Sequence, residues 1–162
     1  MSEEAGRISE PRSRFYEQSA KLGSRWWLDS RQGAVARQQN IARELRFSLE
    51  QWRDATQNMS GAVKTRLIEL RVPQPVVDET IAGAERGIAS VQPLFELRFA
   101  QLDDLDRLFQ LLASAPWTTT AGRVTFQSAK DQSAFDALVA SIDQTEVKIE
   151  AVNAQLKSQR SR

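Results

Sequence analysis

Cysteine and histidine are absent from this 162-residue chain. Without them the chain can form no disulfide, no Ser-His-Asp triad, no cysteine nucleophile and no thiolate zinc site. The Glu-x-x-His motif of ferritin-like di-iron bundles is excluded for the same reason. The catalytic groups that remain are carboxylates, lysine, tyrosine, serine and threonine, and no arrangement of them in the sequence indicates an active site. We therefore expect a protein that is not an enzyme, with no cofactor and no bound metal.

Long apolar runs are also lacking. No window of about 18 residues is apolar enough to predict a transmembrane helix. The first seven residues, MSEEAGR, are polar and no apolar stretch follows them. No secretory signal is therefore predicted, and the cytoplasm is the expected location. The net charge is +1, from 22 basic and 21 acidic side chains, which argues against nucleic acid as a partner.

The sequence does contain three long segments in which apolar residues are spaced alternately four and three apart, the spacing of helices that pack side by side. The first segment predicts a helix over residues 34–72, about 57 Å long at ~1.5 Å per residue. Asn58 and Gly61 weaken its centre, and a break at 57–61 is the alternative. The segment ends at Pro73-Gln74-Pro75. Its heptad positions are Leu45, Leu49, Trp52, Thr56, Met59, Val63, Arg66 and Leu70, of which Thr56 and Arg66 are polar.

The middle segment, residues 77–115, keeps this spacing over five heptads and departs from it only at Arg98. Additional leucine and phenylalanine residues widen its apolar face, so we expect this helix to pack between two neighbours. Pro93 should kink the helix and Pro116 should end it. An extended loop or small hairpin is predicted near 117–127, before a last helix that opens with the capping-box-like sequence Ser128-Ala-Lys-Asp131.

These segments predict an all-α fold: an elongated, antiparallel, coiled-coil-like three-helix bundle with a short extra N-terminal helix at about 11–22. Residues 1–10 are expected to form a disordered tail and 159–162 a frayed C-terminus, which leaves 11–158 as a single domain. Heptads this sustained also suit a homodimer in which each chain contributes helices. Length and composition are typical of small bacterial helical proteins, a comparison of fold alone.

A strip of small residues lies beside the apolar face of the middle helix and consists of Thr80, Gly83, Gly87 and Ser90. A glycine inside a helix costs about 1 kcal/mol relative to alanine, so two of them require a reason, such as the close approach of a second helix. Packing within the chain is the interpretation that we favour. Contact with a protein partner is the alternative, which makes these four residues candidate partner contacts.

Basic and aromatic residues alternate in segment 7–37, which holds seven basic and three acidic side chains. The same mixture occurs in helices that lie on membrane surfaces and in proteins that stack single-stranded nucleic acid. The simplest interpretation is a short helix that folds over the end of the bundle and buries the tryptophans. A membrane surface or a protein partner is the alternative. The candidate contacts are Phe15, Tyr16, Arg25, Trp26, Trp27 and Arg31.

The acidic run Asp103-Asp104-Leu105-Asp106 could suggest a metal site or an acid–base site. The leucines around it form the core face of the predicted helix and turn Asp103 and Asp106 toward solvent, so we interpret the run as a solvated surface. The leading hypothesis for function is therefore a non-enzymatic adaptor, scaffold or chaperone-like protein that binds a partner protein through its helical faces. The second hypothesis is peripheral membrane association through residues 11–33.

Overall fold

Five helices and one short hairpin make up the described part of the chain, which comprises residues 2–22, 34–120 and 123–160 in this computed structural model. Helices account for 88% of the described residues, which confirms the predicted all-α class. In chain order the elements are α1 (Ser2–Leu22), α2 (Ala34–Gln57), α3 (Met59–Glu69), α4 (Gln74–Ser114), β1 (Trp117–Thr120), β2 (Arg123–Phe126) and α5 (Ala129–Arg160).

The single helix predicted over 34–72 is two helices, because the chain leaves the regular helix at Asn58. The backbone of Asn58 stays close to helical, with φ −81° and ψ −6°. Its N–H donates to the carbonyl of Asp54 at 3.0 Å and its carbonyl accepts from Ala62 at 3.1 Å. The break is therefore one residue wide and lies in the interval 57–61. Asn58 and Gly61 are both poor helix formers, so the helix is weakest at this point of the segment.

α1 is longer than the short helix expected at 11–22. It begins at Ser2 and contains Pro11 in its interior, so the helix includes residues 2–10, for which a tail was expected. At the other end of the chain α5 continues to Arg160, so residues 159 and 160 are helical as well.

α4 lies against both α2 and α5 along its second half. The contacting pairs are Arg46–Asp103 and Trp52–Phe95 between α2 and α4, and Arg98–Glu146 and Asp104–Ser141 between α4 and α5. In each case residue numbers rise on one helix as they fall on the other. The wide apolar face of α4 is thus covered from two sides, as its pattern predicts.

Most of the buried apolar residues of α4 lie in its second half, and few lie in its first half. The largest fully buried members of the main cluster are Leu49, Phe95, Leu108, Phe109 and Ile149. Each such side chain contributes about 1.5–3 kcal/mol through removal from water. Between Gln74 and Pro93, by contrast, Val77 is the buried residue of α4, and α3 has none. α3 packs on this first half of α4, so the two form a helical hairpin with little core of its own.

A small antiparallel hairpin joins α4 to α5, as predicted near 117–127. Trp117 of β1 pairs with Phe126 of β2. The indole N–H of Trp117 donates to the carbonyl of Leu112 at 2.8 Å, which satisfies a group left open at the end of α4. At the start of α5 the N–H of Asp131 donates to the Ser128 hydroxyl at 3.4 Å, the capping contact that the sequence predicts.

Candidate functional site

The acidic run on α4 connects three helices. Asp103 and Asp106 both accept hydrogen bonds from Nη2 of Arg46 on α2, at 2.7 and 2.9 Å. Asp104 accepts a 2.6 Å bond from the Ser141 hydroxyl on α5, and its side chain is 15% exposed. The prediction that Asp103 and Asp106 face solvent is confirmed, since their side chains are 56% and 41% exposed although they pair with Arg46. Asp104 departs from the predicted solvated surface, because its side chain lies against α5.

Arg46 is held as a cation by the two carboxylates around it. Partial burial alone would lower the pKa of this guanidinium, but hydrogen bonds to Asp103 and Asp106, and the attraction of their charges, outweigh burial and raise the pKa above its usual value. The described residues contain no group of three or more side chains placed to hold a metal ion. We therefore interpret the acidic run as a structural clamp between α2, α4 and α5.

Arg98, the departure from the heptad pattern of α4, has a similar structural role. Its Nη1 donates to Glu146 on α5 at 3.0 Å and to Gln101 at 2.9 Å. Its guanidinium also lies over the ring of Phe15 on α1, 5.8 Å from the ring centre. A cation placed over an aromatic face and paired with a carboxylate is well accommodated at a half-buried position. Arg98 thus links α1, α4 and α5.

The N-terminal candidate residues have different positions. Phe15 is 3% exposed and packs against Trp52 with 5.9 Å between ring centres, so in this conformation it cannot contact a membrane or a partner. Tyr16 is 40% exposed and stays available. The other four candidates, Arg25, Trp26, Trp27 and Arg31, lie outside the described residues.

Within the described part of the chain, no neighbouring helix comes within 4 Å of the positions that a Cβ atom would take at Gly83 and Gly87 of the strip Thr80, Gly83, Gly87 and Ser90. A Cβ atom added to Gly87 would have no described atom within 4 Å outside its own helix turn, and one added to Gly83 would meet only the end of Arg86 at 3.9 Å. The hydroxyls of Thr80 and Ser90 donate to carbonyls of their own helix. Among the residues that the structure describes, the close packing within the chain that the sequence favours is therefore not found at Gly83 and Gly87.

Gly87 instead lies on a groove with a volume of about 510 Å³ to which all five helices contribute. Volumes of about 300–1,000 Å³ are typical of ligand pockets in proteins. The lining residues are Arg12 and Tyr16 of α1, Trp52 and Thr56 of α2, Met59 of α3, Gly87, Ile88, Val91 and Leu94 of α4, and Asn153, Leu156 and Lys157 of α5. We refer to this feature as the five-helix groove.

Local features of the chain explain why a groove exists at this place. The buried core ends at Trp52 and Leu94, which are 6% and 3% exposed and form its floor. Immediately beyond them α2 breaks at Asn58, and Gly87 contributes no side chain on the facing side. The polar Thr56 is buried at the edge of the floor, where its hydroxyl donates to the carbonyl of Trp52 at 2.8 Å. The buried core therefore ends at Trp52 and Leu94, whereas the helices extend beyond these residues and leave a groove between them.

Two cations lie in the lining of the five-helix groove. The guanidinium of Arg12 is 5.8 Å from the ring centre of Tyr16 and 5.7 Å from that of Trp52. Lys157 is the other cation, on α5. Among the described residues that line the groove there is no carboxylate. The groove thus combines an apolar floor with positive charge.

A second apolar surface lies where α3 turns into α4. Ile68, Leu70 and Val76 are 56%, 59% and 49% exposed and occur within nine residues of one another. Arg71, between them, adopts the left-handed conformation with φ 55°, which ends α3. Single exposed apolar residues are common on proteins, but several close together are typical of contact surfaces.

No protein-family model, curated protein or solved structure matches this chain. No helix in the described ranges combines the length and the apolar character that crossing a bilayer requires. The groove was missed by sequence reasoning because its lining comes from five separated segments. The polar Thr56 at an otherwise apolar heptad position, and Gly87 in α4, were the signals that could have indicated it.

Proposed function

We propose that this chain is a non-enzymatic helical interaction protein, an adaptor, scaffold or chaperone-like factor, that binds a partner protein through its helical faces. The five-helix groove carries the proposal, because it is an apolar concavity on the outside of packed helices. Uncovered apolar surface in water is unfavourable, and grooves between helices commonly receive a segment of another protein.

The chemistry of the lining favours binding over catalysis. The ionisable side chains of the groove are Arg12, Tyr16 and Lys157. None of these offers the pair of groups, one acid and one base, that general acid–base catalysis uses at neutral pH. The Thr56 hydroxyl donates to its own backbone, which reduces its use as a nucleophile.

The finer architecture belongs to the same proposal. We infer that α2, α4 and α5 form an elongated antiparallel three-helix bundle, coiled-coil-like along the second half of α4. The antiparallel order of the contacts on both sides of α4 supports this arrangement. In such a bundle the groove lies at the point where α1 and α3 join the three long helices.

Affinity capture from the native host tests the proposed function. The immobilised full chain is expected to enrich one or more specific proteins, relative to an unrelated helical bundle of equal size and charge immobilised at the same density. Enrichment should persist at about 0.3 M salt, because apolar burial is not screened whereas exposed charge pairs are. Equal recovery on both matrices would contradict the proposal.

Peripheral membrane association through residues 11–33 is the second candidate function. It is favoured by the exposure of Arg12, Arg14 and Tyr16 on α1, and disfavoured by the burial of Phe15. Sedimentation with anionic vesicles at low salt tests this candidate. A chain that stays in the supernatant under these conditions does not bind membranes through this segment.

A further inference from the structure

We propose that α1 is a displaceable wall of the five-helix groove. A partner helix that carries an aromatic side chain takes the place of α1 and inserts that side chain between Trp52 and Arg98. This inference rests on the proposed function and specifies both the class of partner segment and the way in which access to the groove is regulated. It follows from the attachment of α1 to the other helices and from the surroundings of Phe15.

α1 is attached through one buried side chain. The structure describes the side chains of residues 9–19 of this helix, and among these Phe15 alone is buried, at 3% exposed. Other polar contacts are made within α1 itself, since Arg14 pairs with Glu10 and the Ser19 hydroxyl donates to the carbonyl of Phe15 at 2.9 Å. Contacts of this kind persist when a helix leaves its neighbours. The burial of Phe15 is therefore the main interaction that holds α1 in place.

Two features of α1 oppose its attachment. The side-chain oxygen of Gln18 is buried and accepts no hydrogen bond within the described part of the chain, whereas water would satisfy it after release of the helix. Pro11 lies in the interior of the helix, where it removes a backbone N–H and with it one hydrogen bond. A segment with one anchor and two unfavourable features opens at much lower free energy than the core. We therefore expect α1 to leave the other helices without global unfolding.

Phe15 occupies a site that suits an aromatic ring. Its ring packs against Trp52 of α2, with 5.9 Å between ring centres, and the guanidinium of Arg98 on α4 lies 5.8 Å from its centre. Contacts between rings and a cation over a ring face are favourable interactions that an aliphatic side chain does not make. We refer to this position between Trp52 and Arg98 as the Phe15 site.

Both sides of the Phe15 site are held by contacts that do not involve α1. Trp52 packs against Phe95 on α4, with 5.0 Å between ring centres and an edge-to-face arrangement. Arg98 donates to Glu146 on α5 at 3.0 Å. The site is therefore expected to keep its shape when α1 leaves, ready for an aromatic side chain of another helix.

Release of α1 also enlarges the five-helix groove. Arg12 and Tyr16 line it on the α1 side, where the guanidinium and the ring lie 5.7 and 6.0 Å from the ring centre of Trp52. Without α1, the Phe15 site and the groove floor at Trp52 and Leu94 form one continuous apolar surface. Such surfaces commonly receive the apolar face of a helix. α1 already occupies this surface as a helix, so the space fits a helical partner segment.

A peptide with the sequence of α1 tests the inference by fluorescence anisotropy with the full chain. The 21-residue peptide, residues 2–22, competes with the α1 of the chain for the Phe15 site. In the chain, Phe15→Ala removes the anchor of the internal competitor, whereas Pro11→Ala strengthens its helix. Apparent affinity falls with the fraction of chains in which the site is free, so Phe15→Ala is expected to bind the peptide on the order of tenfold more tightly than wild type, and Pro11→Ala on the order of tenfold more weakly.

Matched controls separate the aromatic site from general apolar binding. Phe47→Ala removes a phenylalanine of α2 that is 59% exposed, and this chain should bind the peptide as wild type does. Phe15→Leu in the peptide keeps an apolar side chain but loses the interactions of the ring, so it is expected to weaken binding on the order of fivefold or more. Circular dichroism verifies that the three variant chains keep their helices. Pro11→Ala leaves Phe15 in place, so it tests the inference even if Phe15→Ala perturbs the core.

The possible outcomes separate this inference from the proposed function. Equal affinity of the peptide for wild type, Phe15→Ala and Pro11→Ala would overturn the inference, and so would equal binding of the phenylalanine and leucine peptides. Capture of the native partner is expected to be greatest with Phe15→Ala and least with Pro11→Ala. Equal capture by the three chains would overturn the inference and leave the proposed function standing. Capture of no protein by any of them would overturn the proposed function.

Discussion

Individual polar residues determine which helices are held together and where. Arg46 reaches two aspartates on α4, and Asp104 between them reaches Ser141 on α5. A polar contact that satisfies a half-buried charge fixes the register of neighbouring helices, whereas the apolar faces alone would tolerate sliding by a heptad. The acidic run is therefore important for the uniqueness of the packing more than for the amount of buried surface.

Replacement of Asp104 by alanine tests this role. Asp104→Ala removes an acceptor that is 15% exposed and leaves the Ser141 hydroxyl without its partner, so we expect a loss of about 1–3 kcal/mol in the free energy of unfolding. Asp143→Ala, an exposed position on α5, is the control and should stay within ~0.5 kcal/mol. Urea denaturation measures both. Equal effects of the two substitutions would mean that the Asp104–Ser141 bond does not stabilise the fold.

The sequence predicts the features that depend on nearby residues, such as a helix and its buried face. It does not predict contacts between residues that are far apart in the chain. The spacing of Leu102, Leu105 and Phe109 predicts a helix and its buried face, because both depend on neighbours three and four positions away. The partners of Asp104 and Arg98 depend on which helix lies alongside, information that no single segment contains. The groove is the extreme case, since it requires five segments to be placed together.

At the scale of elements, Gly83 and Gly87 lower the intrinsic stability of helix α4. Neither Gly83 nor Gly87 approaches another part of the described chain closely enough to exclude a methyl group. Glycine is intrinsically unfavourable in a helix, because it loses more backbone entropy on folding than alanine. A stability cost without an internal contact is typical of residues that are used for binding.

Replacement of these glycines by alanine should therefore stabilise the free protein. Each of Gly83→Ala and Gly87→Ala is expected to raise the free energy of unfolding by about 0.5–1 kcal/mol, because the added methyl groups enter open space. Thermal melts of the single and double variants measure the gain. Ser133→Ala at an exposed position of α5 is the control. It also places alanine on a helix surface, but it changes the backbone entropy of the unfolded chain much less than replacement of a glycine does. A lower melting temperature for either glycine variant would mean that the helix is closely covered there.

At the scale of the whole molecule, stability is distributed unevenly along the length of α4. The main core surrounds the segment from Leu94 to Leu112. α3 and the first half of α4 extend beyond it with few buried residues, and three large apolar side chains are exposed where they meet. Segments with little buried apolar surface open locally at much lower free energy than the core. Within the described residues, α3 and the first half of α4 are accordingly expected to open at lower free energy than the segment from Leu94 to Leu112.

Native-state hydrogen exchange should show this gradient. Amides of α3 and of residues 78–90 are expected to exchange through local opening, at rates that denaturant barely changes, whereas amides between Leu102 and Leu112 should exchange only through global unfolding. Residues 138–149 of α5 are the matched control, because Ile142 and Ile149 are as buried as the core of α4. Uniform protection from α3 to α5 would instead mean that all the helices unfold as one cooperative unit.

The variant Leu105→Ala tests the same gradient. Loss of this side chain creates a cavity at a 5% exposed site and should cost about 2–5 kcal/mol, so exchange is expected to become faster in the core of α4 and in α5 together. Amides in α3 should keep their wild-type exchange rates in that variant, because their opening does not pass through the core.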